Sequence, residues 1–478
     1  EMLRSLVGSE MCIRDRFDTV GTASEIYNAS GGISEFAMES YFGRINLSYL
    51  DRYILNVTMR SDGSSRFAPS DRYGYFPSVS LGWNVSKESF WKFPQTDLKF
   101  RLSYGKTGNQ DGIGNYAWQP LMSGGINYGN NSGMAVTSMG NNKLTWETAD
   151  QYDFGFDLGF WNGKLNMIAD IYLKNTNNLL YSMPLHGTSG FTSITSNIGS
   201  MRNYGVEFSI NGHLNIGKVN WTSSFNISHN KNKLTKLLGD DLLPIGSNRA
   251  LKVGEELGAF YLFQMDGLYQ YDGEVPQPLY DLGVRAGDVK YHDADNNGII
   301  NDNDRVLTGS SNPDFFGGWN NTFKYKGFQL DVFFTYMYGN DVYAEWAVTA
   351  TRPGYRMAIT EDVAKNRWTA PGSSDKYPRA VNTLCGHNSK NSTRFLEDGS
   401  FIRLRSLTFS YTFPQVMLQK ICLKGLRLYV QGDNLLLFSK YSGWDPEVSK
   451  NMDPQYFGVD LYGVPPSRSV NFGINLSF

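Results

Sequence analysis

The sequence predicts an all-β protein, an antiparallel transmembrane β-barrel present as about 13 of 22 strands, with short periplasmic turns and long extracellular loops. Three observations carry that prediction. Segments of strict period-two alternation recur along the chain. Short turns alternate with long polar loops. Aromatic residues are abundant, with 29 Tyr, 30 Phe and 10 Trp beside 50 Gly, which suits interface girdles and many turns better than a helical enzyme.

The alternation is cleanest at the end of the chain. Val470, Phe472, Ile474, Leu476 and Phe478 share one face there, while Ser469, Asn471, Gly473, Asn475 and Ser477 share the other. About ten residues of tilted strand cross the hydrocarbon core of a bilayer, so the apolar row is expected to meet lipid and the small polar row a lumen. The 478 residues are 41% hydrophobic and 19% charged, with a mean hydropathy of -0.38. No apolar run is long enough for a transmembrane helix, but a barrel hides its apolar residues one in two. A net charge of -2 gives no general pull toward nucleic acid. The alternative architecture is a soluble β-sandwich or β-propeller.

In chain order, Ile45, Leu47 and Tyr49 alternate up to a turn at Asp51-Arg52, and Tyr53, Leu55, Val57 and Met59 alternate back. Val79 to Val85 and Leu98 to Tyr104 come next, separated by a segment expected to be a short helical connection. Tyr152–Phe160 and Leu165–Leu173 flank Asn162-Gly163, a strong hairpin signal. Tyr204–Ile210 with Val219–Ile227, and Trp319–Tyr325 with Phe328–Tyr338, are further pairs on short turns. The phase of Ile402–Phe413 slips near Ser406, which predicts a β-bulge. Leu426–Val430 precedes the last loop and the final strand. The long polar loops run from about Thr107 to Asn142, Lys231 to Asn312, Gly339 to Arg394 and Ser439 to Pro466. Aromatics beside the short turns, such as Tyr49 and Tyr53, are expected to form a membrane-interface belt.

Three regions are expected. Residues 1–16 lack the periodicity of the rest of the chain and read as a non-native adapter or cloning scar, 17–39 as a loop lead-in, and 40–478 as the C-terminal part of a barrel. An odd number of strands cannot close an all-antiparallel barrel. About nine strands and any plug are therefore expected upstream, out of about 22 in large plugged transporters.

Several stretches, in one order, carry a family resemblance: Arg60-Ser61-Asp62-Gly63-Ser64-Ser65-Arg66-Phe67, Leu102 to Gln110, and Leu144-Thr145-Trp146-Glu147-Thr148. Asn197-Ile198-Gly199, Asn203 to Glu207, Asp293 to Gly298, and Tyr441-Ser442-Gly443-Trp444-Asp445-Pro446-Glu447 continue the series. From about Ser40 onward the chain resembles the barrel portion of the SusC/RagA family of TonB-linked outer-membrane transporters. The resemblance implies a plugged barrel in the outer membrane that imports glycan oligosaccharides or peptides. Energy would come from the TonB system through the missing N-terminal part, and a SusD-like lipoprotein lid would close the barrel from outside. The alternative is a passive barrel or a glycan-binding surface adhesin without energy coupling.

The sharpest local motif runs from Asp293 to Asp304. Asp293, Asp295, Asn297, Ile299 (through its carbonyl), Asn301 and Asp304 occupy the ligand positions of an EF-hand-like loop, with Gly298 at the sharp turn. Ca²⁺ in an extracellular loop is the cation such oxygen ligands suit; a solvated acidic turn is the alternative. Gly112-Ile113-Gly114 opens no helix and is expected to be plain loop. No nucleophile elbow, zinc helix or phosphate loop is present, so no enzyme is expected. His186, His213, His229, His292 and His387 are expected on the surface, Asp240-Asp241 solvated, and Cys12, Cys385 and Cys422 incidental. Trp118, Tyr128, Tyr261, Tyr269, Trp346, Tyr355 and Trp444 are outer-loop rings available to sugars, to a lid or to one another.

Overall fold

Thirteen strands pair in sequence order into one antiparallel sheet because tight turns return each strand beside the one before it. The computed structural model describes residues 33–478 except 130, 132, 238, 240–241, 355–356, 382–385, 419–422 and 453–455. β1 (Met38–Tyr49) and β2 (Tyr53–Ser64) meet at a turn where Leu50 and Asp51 both take positive φ. β3 (Tyr73–Asn84) and β4 (Thr96–Asn109) come next, and the small pair β5 (Leu121–Gly124) and β6 (Met134–Ser138) stands before β7 (Glu147–Phe160). β8 (Leu165–Pro184), β9 (Ser193–Ile216) and β10 (Val219–Leu237) are the longest strands. The next loop carries β11 (Leu242–Ile245), β12 (Arg249–Lys252), β13 (Ala259–Phe263), β14 (Met265–Leu268), β15 (Val289–Tyr291) and β16 (Arg305–Ser310). β17 (Phe315–Tyr325) and β18 (Phe328–Tyr338) join through Lys326-Gly327 at φ 45 and 88, the two positive values of a type I′ turn. After β19 (Asp341–Tyr343) and β20 (Leu396–Asp398) come β21 (Phe401–Thr412), β22 (Gly425–Ser439) and β23 (Ser469–Ser477). The large sheet omits the loop strands, and β1 and β23 are its two edges.

The two faces of the sheet differ as the alternation requires. Leu81, Leu102, Phe154, Ile171 and Val206 lie exposed in register across β3, β4, β7, β8 and β9, and Val470, Phe472, Ile474 and Leu476 are exposed on β23. These rows are not buried between stacked sheets, which removes the sandwich alternative. Rings on this face meet across strands, Trp83 tilted against Phe100 at 6.2 Å and Phe100 stacked on Phe154 at 6.1 Å. On the opposite face Arg101 reaches Asp157 at 2.9 Å and Asp170 at 2.8 Å, so charge is gathered where water enters rather than where lipid would be. Leu102→Arg is expected to cost the full-length protein about 2–4 kcal/mol and to impair assembly, with Ser103→Arg milder. Folding yield by the gel shift of unheated barrel would show it; equal losses would contradict the assigned faces.

The connections are equally lopsided. One end of the sheet carries 50–52, 161–164, 217–218 and 326–327, and the other carries 110–146, 238–314, 339–400 and 440–468. Tyr49, Tyr53, Trp161, Tyr325 and Phe328 are exposed beside the short turns, where an interface belt is expected. The bulge is present: Phe333 of β18 pairs with Ser406 but its neighbour Phe334 with Leu404, leaving Arg405 extra on its strand. The helical connection after β3 is a single 3₁₀ turn, Val85–Lys87.

Two expectations need correction. The strands run further than their apolar alternation, because β8–β10 continue with mixed polar and apolar residues above the level where lipid selects an apolar residue at every second position. The long loops are also more than polar connections. Phe260, Leu262, Val342, Tyr343, Phe395, Tyr441 and Val459 form one buried core within them, and Phe263, Tyr269, Leu279, Val284 and Tyr291 a second. The adapter at 1–16, most of the lead-in at 17–39, all three cysteines, Asp240-Asp241 and Tyr355 lie outside the described residues.

Candidate functional site

The long loops build a packed cap over one end of the sheet, and the stretches that carried the family resemblance are the contacts that hold it there. Asn197 clamps residue 145 from both sides, accepting from the Thr145 amide and donating to its carbonyl, each at 3.0 Å. Trp146 donates its indole N–H to the Arg72 carbonyl at 3.0 Å and packs tilted on Phe67 and edge-on to Phe76, both buried. Gly108 is required beneath them, since a Cβ there would stand 2.2 Å from the Phe76 ring. Arg403, buried on β21, donates to Asp445 at 2.6 Å and lies 3.0 Å from Glu447, which also pairs with Arg405 of the bulge.

The acidic loop folds around its own backbone. Asp293 accepts from the amides of Asn297 and Gly298, and Asp304 from those of Ala294 and Asn301. Burial alone would raise the Asp293 pKa, but the Gly298 and Asn297 amides outweigh it and hold the carboxyl below its ordinary value. Gly298 takes φ +79, the conformation the sixth position of such a loop demands. Carboxylate oxygens of Asp293, Asp295 and Asp304 come within 4.8 Å of one another. Asn297 is committed to Asp295 and to the Ile299 amide, and Asn301 accepts from Asn303 and caps the turn ending at Asp304. Three of the six proposed ligands are thus brought together as carboxylates; the two asparagines are engaged locally.

Of the outer rings, Tyr269 is buried in a cap core, Trp346 donates to the Tyr441 hydroxyl, Tyr261 to the Asp302 carbonyl and Trp118 to the Ser65 carbonyl. Tyr128 and Trp444 stand free, 89% and 81% exposed. One histidine is not on the surface. His387 is buried edge-on against Tyr291 and bonded to the Val289 carbonyl; burial holds its imidazole below the ordinary value, the carbonyl bond only partly offsetting this.

Sequence reasoning missed Arg249. β12 and Phe457 roof a cavity of about 390 Å³ whose floor is the outer end of β8–β10, through Leu180, Ile198, Met201 and Leu234. Arg249 lines it, 8% exposed, because its backbone pairs with Phe260 and its guanidinium lies 4.9 Å over that ring. Lone arginines in a loop carry no sequence signal of burial.

A family model described as TonB dependent receptor-like, beta-barrel, matches residues 13–435. TonB-dependent receptor P3 of Formosa agariphila is 34% identical over 471 residues, covering 94% of this chain and 46% of that protein. TonB-dependent receptor SusC of Bacteroides thetaiotaomicron is 31% identical over 470 residues, covering 92% and 43%. Among solved structures, that of the RagAB peptide transporter superposes with a TM-score of 0.82 at 27% identity, over 95% of this chain and 49% of the other. The chain spans about half the length of the curated relatives it matches.

Proposed function

Since the chain belongs to the SusC-like TonB-dependent receptors of the outer membrane, we propose that it is the wall and cap of an energy-coupled importer of oligosaccharides or peptides. The observation that carries this is the pairing of a lipid-facing sheet with a cap packed over its long-loop end. A wall with a charged inner face and a structured mouth suits selective passage; a simple pore would not need two cores in its loops. The names of relatives point the same way, one being SusC and another RagAB, whose structure is that of a peptide transporter. A SusD-like lipoprotein is the partner we assign to the outer cap, with Tyr128 and Trp444 as free rings for it or for cargo. No catalytic step is assigned to the chain.

Import is tested by uptake of labelled oligosaccharide and peptide mixtures in cells carrying the full-length gene, with and without a collapsed proton gradient. Uptake that stops on collapse is expected. Uptake that continues would favour the passive barrel, and surface retention without uptake the adhesin.

For the loop at Asp293–Asp304 we propose Ca²⁺, since all its donors are oxygens, the set a hard cation prefers. Asp293, Asp295 and Asp304 would hold it, with Asn297, the Ile299 carbonyl and Asn301 completing the shell, and its role would be to stiffen the cap. Calorimetry of the full-length protein with calcium chloride is expected to give heat that Asp304→Asn removes; no heat at millimolar metal would refute the site.

A further inference from the structure

We propose that the cavity under β12 is a binding site for a carboxylate carried on an apolar group, with Arg249 as its counter-ion. Three observations support it. The lining is largely aliphatic, with Leu179, Leu180, Ile198, Met201, Leu234 and Leu251 among its residues, so an apolar body is favoured inside. Among the described residues the only strong charge on that lining is Arg249, which is more than nine-tenths buried. Its Nη2 donates to the Ser311 hydroxyl at 3.2 Å and to the Phe457 carbonyl, while its Nε has no acceptor. Among the described residues no carboxylate stands within ion-pair distance of it.

A buried cation without a counter-charge is a costly arrangement, and a buried donor without an acceptor adds to the cost. The Phe260 ring offsets part of that cost, as a cation over an aromatic face. Burial lowers the Arg249 pKa to about 10, so the group is still a cation at neutral pH. A carboxylate entering the cavity would supply both the counter-charge and an acceptor for the Nε–H. A neutral ligand of the same shape could accept from the Nε but would leave the charge uncompensated, and a phosphate without an apolar body would forgo the aliphatic wall. The site lies on the inward face of β8–β10, above the level of the lipid-facing rows, where entering cargo would pass.

This deepens the importer proposal by naming a chemistry for the cargo, and rests on it only for the ligand being cargo. Binding is therefore measured on the full-length protein in detergent, with no energy source; binding without uptake would count against import alone. Two acid and amide pairs serve as probes: octanoate with octanamide, and N-acetyl-leucyl-leucine with its C-terminal amide. At least one acid is expected to bind about tenfold or more tighter than its amide, and the tighter acid identifies a fatty acid or a peptide end as the source. Arg249→Met is expected to erase that preference, Arg249→Lys to keep part of it, and Met201→Trp, which fills the cavity and leaves the arginine in place, to abolish binding. Equal binding of acid and amide, no binding of either pair, or a preference surviving Arg249→Met would overturn the proposal. Should Arg249→Met fail to assemble, Met201→Trp decides: unchanged binding there overturns it as well.

Discussion

Tyr343→Ala is expected to destabilise the outer cap by about 3–5 kcal/mol, the range for emptying a large aromatic site in a core. The ring is fully buried, packed against Phe260 at 6.0 Å and edge-on to Phe395 at 6.2 Å. Its backbone is equally committed, with the amide on the Gly458 carbonyl at 2.8 Å and the carbonyl accepting from Asp460 at 3.0 Å. Three loops, 238–314, 339–400 and 440–468, thus meet at one residue. Limited proteolysis of the full-length protein should show all three becoming cleavable together. Tyr343→Phe loses only the hydroxyl bond to Asn391, at 2.9 Å, and should cost about 1 kcal/mol. Cleavage confined to one loop in the alanine variant would mean that the loops do not share a core.

Asp445→Ala is expected to cost a similar amount, about 3–5 kcal/mol, because it strips a buried arginine of its nearest counter-charge. Arg403 and Asp445 are both almost fully buried, and Asp445 also accepts from the Glu447 amide at 2.9 Å. Glu447 is about one-third exposed and pairs with Arg405, which is more exposed still, so Glu447→Gln should cost about 1 kcal/mol or less. The ratio between the two variants, read as the urea midpoint for protease resistance of 440–468, is the test. Comparable losses would show that burial of the Arg403–Asp445 pair gives it no greater weight than the exposed contacts.

How much was legible in the sequence depends on which forces act locally. A strand between lipid and water must alternate, so the strand count, the turns at Asn162-Gly163 and Lys326-Gly327, and even the slip at Arg405 could be read from residues a few places apart. The ends of β8–β10 could not, because above the membrane nothing selects apolar side chains at every second position. The cap was illegible for a different reason. Val342 and Phe395 touch one core from distant parts of the chain, and no short window contains both. The ion pair at Arg403 and the clamp at Asn197 were visible only as family-like stretches, their partners lying 42 and 52 residues away. The acidic loop was found because its partners are its own neighbours. His387 and Arg249 were misjudged or missed because composition places such residues outside by default.

Among the described residues, the outer margins of β1 and β23 each present a line of backbone amides and carbonyls with no neighbour in the sheet. Within hydrocarbon such groups have nothing to bond to, at several kcal/mol apiece. These thirteen strands can therefore enter a bilayer only once both seams are zipped to further strands, so membrane insertion must await closure of the ring.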